Sequence, residues 1–317
     1  MQNTYTLGEW LQRWIDFYAP VRCKSGVTLE RYQRLANYVL EGTTLELGES
    51  CKTLLAHLTH QQLESSLLSL LHAPAKRKER LSAKTVRHLG GLLSVALGKA
   101  LRLDLVKSNP MHQVELPNGE CSHARSLTLD EVRKLLRVCA GDWTRTFTEL
   151  ALSTGLRRGE LLALTWADIN RRTRVLSVSK SLEETKRGLK IKYPKNGRPR
   201  SCTLPKSTMK LLPQYNEHGE LNEGLIFPGD DGRWRIPALV SQTIIRRLHK
   251  AGIRKASLHS LRHTHASQLL SRGLPVPAVS ARLGHSDPAV TMRIYAHALP
   301  LDDRRVADEW DRLMSGV

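Results

Sequence analysis

The sequence predicts a mainly α-helical chain with a small antiparallel sheet, built as a helical domain over residues 1–118 and an α+β domain over residues 119–317. Three observations carry this. At 317 residues the chain is long for one core and comfortable for two, since domains run about 100–200 residues. Its first third holds four apolar stripes at helical spacing. Short alternating apolar segments fall only around residues 175–204, with helical patterns on either side.

The elements follow in order. Thr6-x-x-Glu9 is a capping box ahead of Trp10, Leu11, Trp14 and Ile15, a run expected to stop at Pro20. Thr28 is placed to cap a second helix carrying Leu29, Tyr32, Leu35, Tyr38 and Val39. Thr59-x-x-Gln62 opens a third, with Leu63, Leu67, Leu68, Leu70 and Leu71. Ser82 starts a fourth, in which Val86, Leu89, Leu93, Ala96, Leu97 and Leu101 share one face. Four one-sided helices make a small bundle. Asn109-Pro110 and the turn-rich Leu116-Pro117-Asn118-Gly119-Glu120 mark the boundary. Beyond it, Thr128-Leu129-Asp130-Glu131 caps a helix reaching Val138. Val175–Val178, Leu189–Lys192 and Arg200–Leu204 read as strands, and helices return from about residue 239.

Composition narrows the function classes. Lys and Arg number 49 against 30 Asp and Glu, a formal net charge of +19, which favours a polyanionic partner. Residues 1–120 hold 15 basic and 11 acidic side chains, a net of +4, so +15 lies in the remainder. No apolar run approaches the roughly 18 residues of a membrane span, and residues 1–6 carry no signal-peptide pattern. Membrane insertion and secretion are therefore not expected, while a nucleic acid and an anionic membrane surface both remain open as the polyanion. Five cysteines (Cys23, Cys51, Cys121, Cys139 and Cys202) show no C-x-x-C pair and read as isolated thiols of a reducing compartment, which points to the cytoplasm. Lys76, Arg77, Lys78, Arg80, Lys84 and Arg87 cluster at the start of the fourth helix. Such a cluster serves as a solvated loop or as a contact for the phosphates of a nucleic acid, which its basic sign at a helix N-terminus also suits.

Four segments of the second domain carry polar residues with chemical potential, although each alone has an ordinary structural reading. In Thr154-Gly155-Leu156-Arg157-Arg158-Gly159-Glu160, Gly155 breaks one helix and Arg157 stands at the start of the next. Tyr193-Pro194-Lys195-Asn196-Gly197-Arg198-Pro199-Arg200 is a basic turn whose Asn-Gly pair signals a hairpin with Lys195 near its tip. Arg198 and Arg200 of this turn are assigned to DNA contact. In Leu258-His259-Ser260-Leu261-Arg262-His263-Thr264-His265, His259 and Arg262 share a helical face. His259 and His263 also have the i, i+4 spacing of a zinc pair, but no H-E-x-x-H glutamate or neighbouring ligand accompanies them, so no metal site is assigned. In Leu283-Gly284-His285-Ser286-Asp287-Pro288, Gly284 ends a helix and Ser286 is placed to cap the next, with Tyr295 two turns on.

Together these segments supply two arginines, a lysine, two histidines and a tyrosine. That set suits attack on a phosphodiester without a metal. Tyrosine forms covalent intermediates, arginines clamp non-bridging oxygens bidentately, and lysine or histidine moves the protons.

On these motifs the chain resembles the tyrosine recombinases, or phage integrases. Thr154-Gly155-Leu156-Arg157 with Glu160 is similar to the family's first arginine motif, and Pro194-Lys195 with Arg200 to its lysine hairpin. His259-x-x-Arg262-His263-Thr264 resembles the His-x-x-Arg box, and Leu283-Gly284-His285 with Tyr295 the final box. The resemblance implies a helical core-binding domain and an α+β catalytic domain of the tyrosine recombinase type, closing around duplex DNA. By it, Tyr295 attacks the scissile phosphate to give a 3′-phosphotyrosyl link and a free 5′-hydroxyl. Arg157 and Arg262 hold the phosphate, His285 adds a hydrogen bond, Lys195 protonates the leaving oxygen and His259 assists proton movement. Glu160 positions its neighbours. Neither ATP nor a metal cofactor is required.

The implied partners are duplex attachment sites, a homotetramer on DNA and accessory DNA-bending proteins. Lys190 and Lys192 stand as fallback general acids. His265 departs from the aromatic or apolar residue common in the family, and Asn196 from its Thr or Ser. Asp302–Met314 has Val306, Trp310 and Leu313 at helical spacing, for docking on its own domain or on a neighbouring protomer. The resemblance leaves open whether an arm-binding domain precedes the helical module. A type IB topoisomerase and a non-catalytic DNA-binding regulator are the alternatives; the order of boxes disfavours the first, and the full catalytic set the second.

Overall fold

The computed structural model describes residues 5–23, 25–72, 80–118, 125–193, 199–215, 224–285, 287–296 and 310. Two compact units, Met1–Ser122 and His123–Val317, gather the contacts of the chain.

The first unit opens with α1 (Leu7–Arg13), held by the expected capping box: Thr6 N–H meets Glu9 Oε2 at 2.8 Å, and Glu9 N–H meets Thr6 Oγ1 at 3.3 Å. Trp10 and Leu11 are buried, and the Trp10 indole donates to the Ala96 carbonyl at 3.0 Å. Pro20 does not stop the helix. Residues Trp14–Tyr18 widen into a π-turn, in which Ala19 N–H reaches back to the Trp14 carbonyl, and α2 (Ala19–Arg22) continues with Pro20 in its first turn. Widening the turn accommodates a residue that has no N–H to give and whose ring crowds the preceding turn.

The next helix, α3 (Gly26–Leu40), starts at Ser25 rather than at Thr28, which lies inside the first turn. A helix without a clear sequence pattern follows, α4 (Leu45–Lys52), capped by Thr44. Its Ser50 hydroxyl meets Ser66 of α5 (His60–His72) at 2.7 Å. The Thr59–Gln62 box and the Ser82 cap are both made, the latter opening α6 (Ala83–Leu101). Leucines of α5 and α6 complete a core centred on Trp10 and Trp14.

The second unit begins with α7 (Leu129–Val138), whose Thr128–Glu131 box is made, and α8 (Trp143–Thr154). Gly155 ends α8 in the left-handed region at φ +67°, and α9 (Arg158–Ala163) begins three residues on. Strands β1 (Ile169–Asn170), β2 (Val175–Val178) and β5 (Arg200–Thr203) form one antiparallel sheet. Strands β3 (Ser181–Thr185) and β4 (Gly188–Lys192) form a separate hairpin. Asn196-Gly197 lies outside the described residues, and among the described strands β4 pairs with β3 and β5 with β2 rather than with each other. The hairpin turn falls instead at Lys186-Arg187, next to Gly188.

Helices α10 (Lys206–Tyr215), α11 (Pro237–Lys250), α12 (Leu258–Leu270), α13 (Val276–Leu283) and α14 (Pro288–Tyr295) complete the unit. The cap of α14 is Asp287, whose carboxylate accepts from Ala289 N–H at 2.8 Å; Ser286 lies outside the described residues. A large core built on Phe147, Leu150, Phe227 and Ile244 supports α8, α9 and α12, while Ala266, Leu270, Val279, Leu283 and Tyr295 form a smaller one. Among the described residues no helix is long and apolar enough to cross a membrane.

Candidate active site

The site is built at helix ends. Arg157 occupies the cap position of α9, and its backbone N–H meets Glu160 Oε2 at 2.8 Å. Its Nη1 lies 3.1 Å from Glu160 Oε1, with the side chain still 45% exposed. Glu160 also receives both guanidinium nitrogens of Arg200, at 2.9 and 2.6 Å. Burial alone would raise this carboxyl, but the Arg200 hydrogen bonds and charge, together with Arg157, leave it below the ordinary carboxylate value. Glu160 is therefore an anion that fixes two cations. Arg200, only 18% exposed, is ion-paired to it in the DNA-free chain. Gly284 lies against Arg200: a Cβ built there would stand 2.7 Å from its Nε.

Helix α12 contributes the rest. Arg262 is buried, and its guanidinium donates to the Gly155 carbonyl at 2.7 Å, the Leu283 carbonyl at 2.8 Å and His285 Nε2 at 2.9 Å. Burial first, then Arg157, brings its pKa down to about 10, so it stays charged at neutral pH. Because arginine only donates, His285 Nε2 accepts, and Nδ1–H is left to donate to Thr291 Oγ1 at 2.7 Å. Burial, then Arg262 and Arg157, holds His285 at about 4 and hence neutral.

Tyr295, in the last turn of α14, is 2% exposed, and its hydroxyl lies 2.8 Å from His263 Nδ1. Burial raises its pKa, while Arg262 and Arg157 oppose the rise. The His259 ring sits edge-on to His263 with centroids 4.6 Å apart, and partial burial with the two arginine charges lowers its pKa. Arg157, His259, Arg262, His285 and Tyr295 thus surround one cationic locality, with Glu160 beside it.

The other sequence candidates fall elsewhere. Lys195 and Arg198 lie outside the described residues, as do Lys76, Arg77 and Lys78 and, apart from Trp310, the segment 302–314. Arg80, Lys84 and Arg87 are exposed around the start of α6, in the first unit. Lys190 is exposed, and Lys192 is ion-paired to Glu183 at 3.1 Å. His263, weighed in the sequence only as half of a zinc pair, turns out to be the imidazole that touches the tyrosine. Its signal was position alone, one residue past Arg262 and one turn past His259. Among the described residues, no three His, Cys, Asp or Glu side chains gather to hold a metal ion.

Residues 125–301, more than half of the chain, match the phage integrase family. This chain belongs to the phage integrase family. Curated relatives agree with that placement. A XerC-like tyrosine recombinase of Caldanaerobacter subterraneus subsp. tengcongensis is 26% identical over 248 residues, covering 69% of this chain and 63% of the relative. The ICEBs1 integrase of Bacillus subtilis is 27% identical over 247 residues, covering 74% of this chain and 67% of its own. The phage integrase chain thus spans about two thirds of the length of these relatives. Among solved structures, the Tn1549 transposon integrase in complex with a circular intermediate DNA superimposes with a TM-score of 0.79 at 20% identity, over 96% of this chain and 99% of that one. A lambda integrase tetramer bound to a Holliday junction gives 0.67 at 21% identity, over 90% and 79%. These two likenesses establish the integrase fold: mainly helical, with small antiparallel sheets.

Proposed function

We propose that this chain is a site-specific tyrosine recombinase that cleaves and rejoins duplex DNA through a 3′-phosphotyrosyl intermediate. The observation that carries the reading is the convergence of a tyrosine hydroxyl, an imidazole hydrogen-bonded to it and two guanidiniums within one compact unit. In this reading the first unit is the helical core-binding domain and the second the catalytic domain.

The chemistry follows from the groups present. Arg157 keeps an open guanidinium, and Arg262 has its Nε–H and one Nη1–H without a partner among the described residues; both face the charge that grows on the non-bridging oxygens. His285 orients Arg262 through the 2.9 Å contact. Tyr295 Oη bonds to phosphorus as its proton passes to His263 Nδ1; His263 is favoured over His259 because it makes the hydrogen bond. The P–O5′ bond breaks, and Lys195 supplies the proton that makes the 5′-hydroxyl. The ester energy remains in the phosphotyrosyl link, so rejoining needs no ATP. A hydroxyl in a 2% exposed side chain must be uncovered before it can attack, so movement of α14 precedes chemistry.

Duplex attachment sites are the proposed substrate, two sites being exchanged within a homotetramer, with accessory DNA-bending proteins shaping longer sites. The cytoplasm, where such DNA lies, is the proposed place of action. The test is incubation with nicked duplexes spanning the junctions that flank the gene, followed by denaturing electrophoresis. A covalent protein–DNA band that survives EDTA and disappears in Tyr295→Phe is expected. A band that persists in Tyr295→Phe would overturn the assignment of the nucleophile.

A further inference from the structure

Bonded to the same helix ends as the site lies an arginine that the proposed chemistry does not use. Arg282, in the last turn of α13, donates from Nη2 to the carbonyls of Ser153 (2.7 Å) and Thr203 (3.1 Å), and from Nε to His265 Nε2 at 3.2 Å. His265 Nδ1 lies 2.7 Å from the Leu152 carbonyl. A carbonyl only accepts, so Nδ1 carries the proton and Nε2 offers its lone pair to Arg282. Only the neutral ring fills both contacts. The ring is 8% exposed, and burial, followed by the charge of Arg282, holds its pKa at about 4.

These contacts converge on the site. Leu152 and Ser153 present last-turn carbonyls of α8, which lack partners within their own helix, and a cation there also meets the negative end of the helix dipole. The chain then passes through Gly155 to Arg157. Arg262 bonds the carbonyls of Gly155 and Leu283 and Arg282 that of Ser153, so two guanidiniums bridge the end of α8 to the end of α13. Thr203 ends β5, whose first residue, Arg200, grips Glu160 and donates to the Arg282 carbonyl at 3.3 Å.

We propose that Arg282 and the neutral His265 form a positioning unit that sets the spacing of Arg157, Arg262 and His285 around the scissile phosphate without touching DNA. The inference rests on the strand-cleavage reading of the site. A phosphate clamp is sensitive to misplacement of about 1 Å, so a loosened support slows chemistry while binding persists.

The experiment uses the full chain and the nicked duplex that traps the wild-type adduct, prepared with each phosphorothioate diastereomer at the scissile phosphate. Adduct formation at saturating DNA, DNA affinity and melting temperature are measured for Arg282→Met, Arg282→Lys and His265→Leu. Arg282→Met and His265→Leu are expected to slow adduct formation about 10–100-fold, with DNA affinity retained. They are also expected to shift the ratio of the two diastereomer rates, because displacing Arg157 relative to Arg262 changes how the two guanidiniums share the non-bridging oxygens. Arg282→Lys, which keeps the charge but not the fork, recovers part of the rate and of the ratio. Rates that fall only with the folded fraction, at an unchanged ratio, overturn the proposal. A wild-type chain that forms no adduct overturns the strand-cleavage reading instead. Independently of activity, nitrogen-15 NMR at neutral pH should find His265 protonated on Nδ1 alone; a ring protonated on Nε2 overturns the positioning unit.

Discussion

Within α12 two imidazoles from one short motif serve different ends. His263 meets the Tyr295 hydroxyl, and His265, two residues on, faces a helix end and an arginine. Their placement shows how a charged site is kept from repelling itself: near Arg157, Arg200, Arg262 and Arg282, the His265 and His285 rings accept hydrogen bonds as neutral groups. That neutrality has a measurable consequence. Both rings are held at about 4, whereas an unfolded histidine titrates near 6.5. As pH falls the unfolded chain takes up these protons first, so the stabilisation is complete above about pH 6.5 and is lost as pH falls towards the folded value of about 4. For buried His265 the loss across that window is on the order of 3 kcal/mol. Half-buried His285 contributes less because solvent screens it. Denaturant midpoints at about pH 7.5 and about pH 4.5 measure the effect, and the pH dependence should flatten in His265→Leu. A wild-type midpoint that does not move would mean that the rings are charged in the folded chain.

Helix ends are the elements on which the site depends, and α8 is the clearest case. Its last residue is followed by Gly155 at φ +67°, where a Cβ would stand 2.7 Å from His265 Cδ2 and 2.8 Å from Leu283 Cδ2. Gly155→Ala therefore meets both an unfavourable backbone region and a closed wall. A loss of roughly 2–4 kcal/mol in chemical denaturation is expected, with Arg157 displaced and adduct formation lost even in the folded fraction. A stable, active Gly155→Ala chain would show that the α8–α9 junction tolerates movement. The same elements show what is legible in a sequence. Thr6, Thr59, Ser82 and Thr128 mark helix starts correctly because a capping oxygen and its partner lie within four residues. Pro20 misleads because a π-turn absorbs it, and α4 escapes notice because only Leu47 and Ser50 of it are buried. The β3–β4 pairing cannot be read locally, since the Asn-Gly signal is real chemistry but strand partners are chosen by the whole sheet. Arg157, Glu160, Arg262, His285 and Tyr295 announce themselves as motifs. Arg282 and the contact of His263 do not: the partners of Arg282 come from α8, α12 and β5, and α12 buries polar residues around nearly its whole circumference, so only neighbouring elements decide what each one meets.

For the whole molecule, formal charge and available charge differ. The chain carries +19, and most of the excess lies beyond residue 120. Yet several of those cations are bound internally: Arg200 to Glu160, Arg247 to Asp142, Arg125 to Glu131, and Arg262 and Arg282 to carbonyls. These arginines assemble the second unit, and in the proposed reading they release few counterions on DNA binding. Exposed residues such as Lys84 and Arg87, at the start of α6, have no such commitment among the described contacts. Salt dependence separates the two kinds. Each phosphate neutralised contributes about −0.9 to the slope of log affinity against log salt. If Lys84 and Arg87 each meet a phosphate, Lys84→Gln and Arg87→Gln reduce the steepness by about one unit apiece and weaken binding evenly across sequences. Arg200→Gln should leave the slope at the wild-type value, because its guanidinium is held by Glu160, and should instead lower the melting temperature by leaving a buried carboxylate short of a partner. Slopes from fluorescence anisotropy titrations at several salt concentrations give the answer. A reduced slope for Arg200→Gln would mean that DNA draws this arginine away from Glu160, and the ion pair would then be a feature of the unbound chain alone.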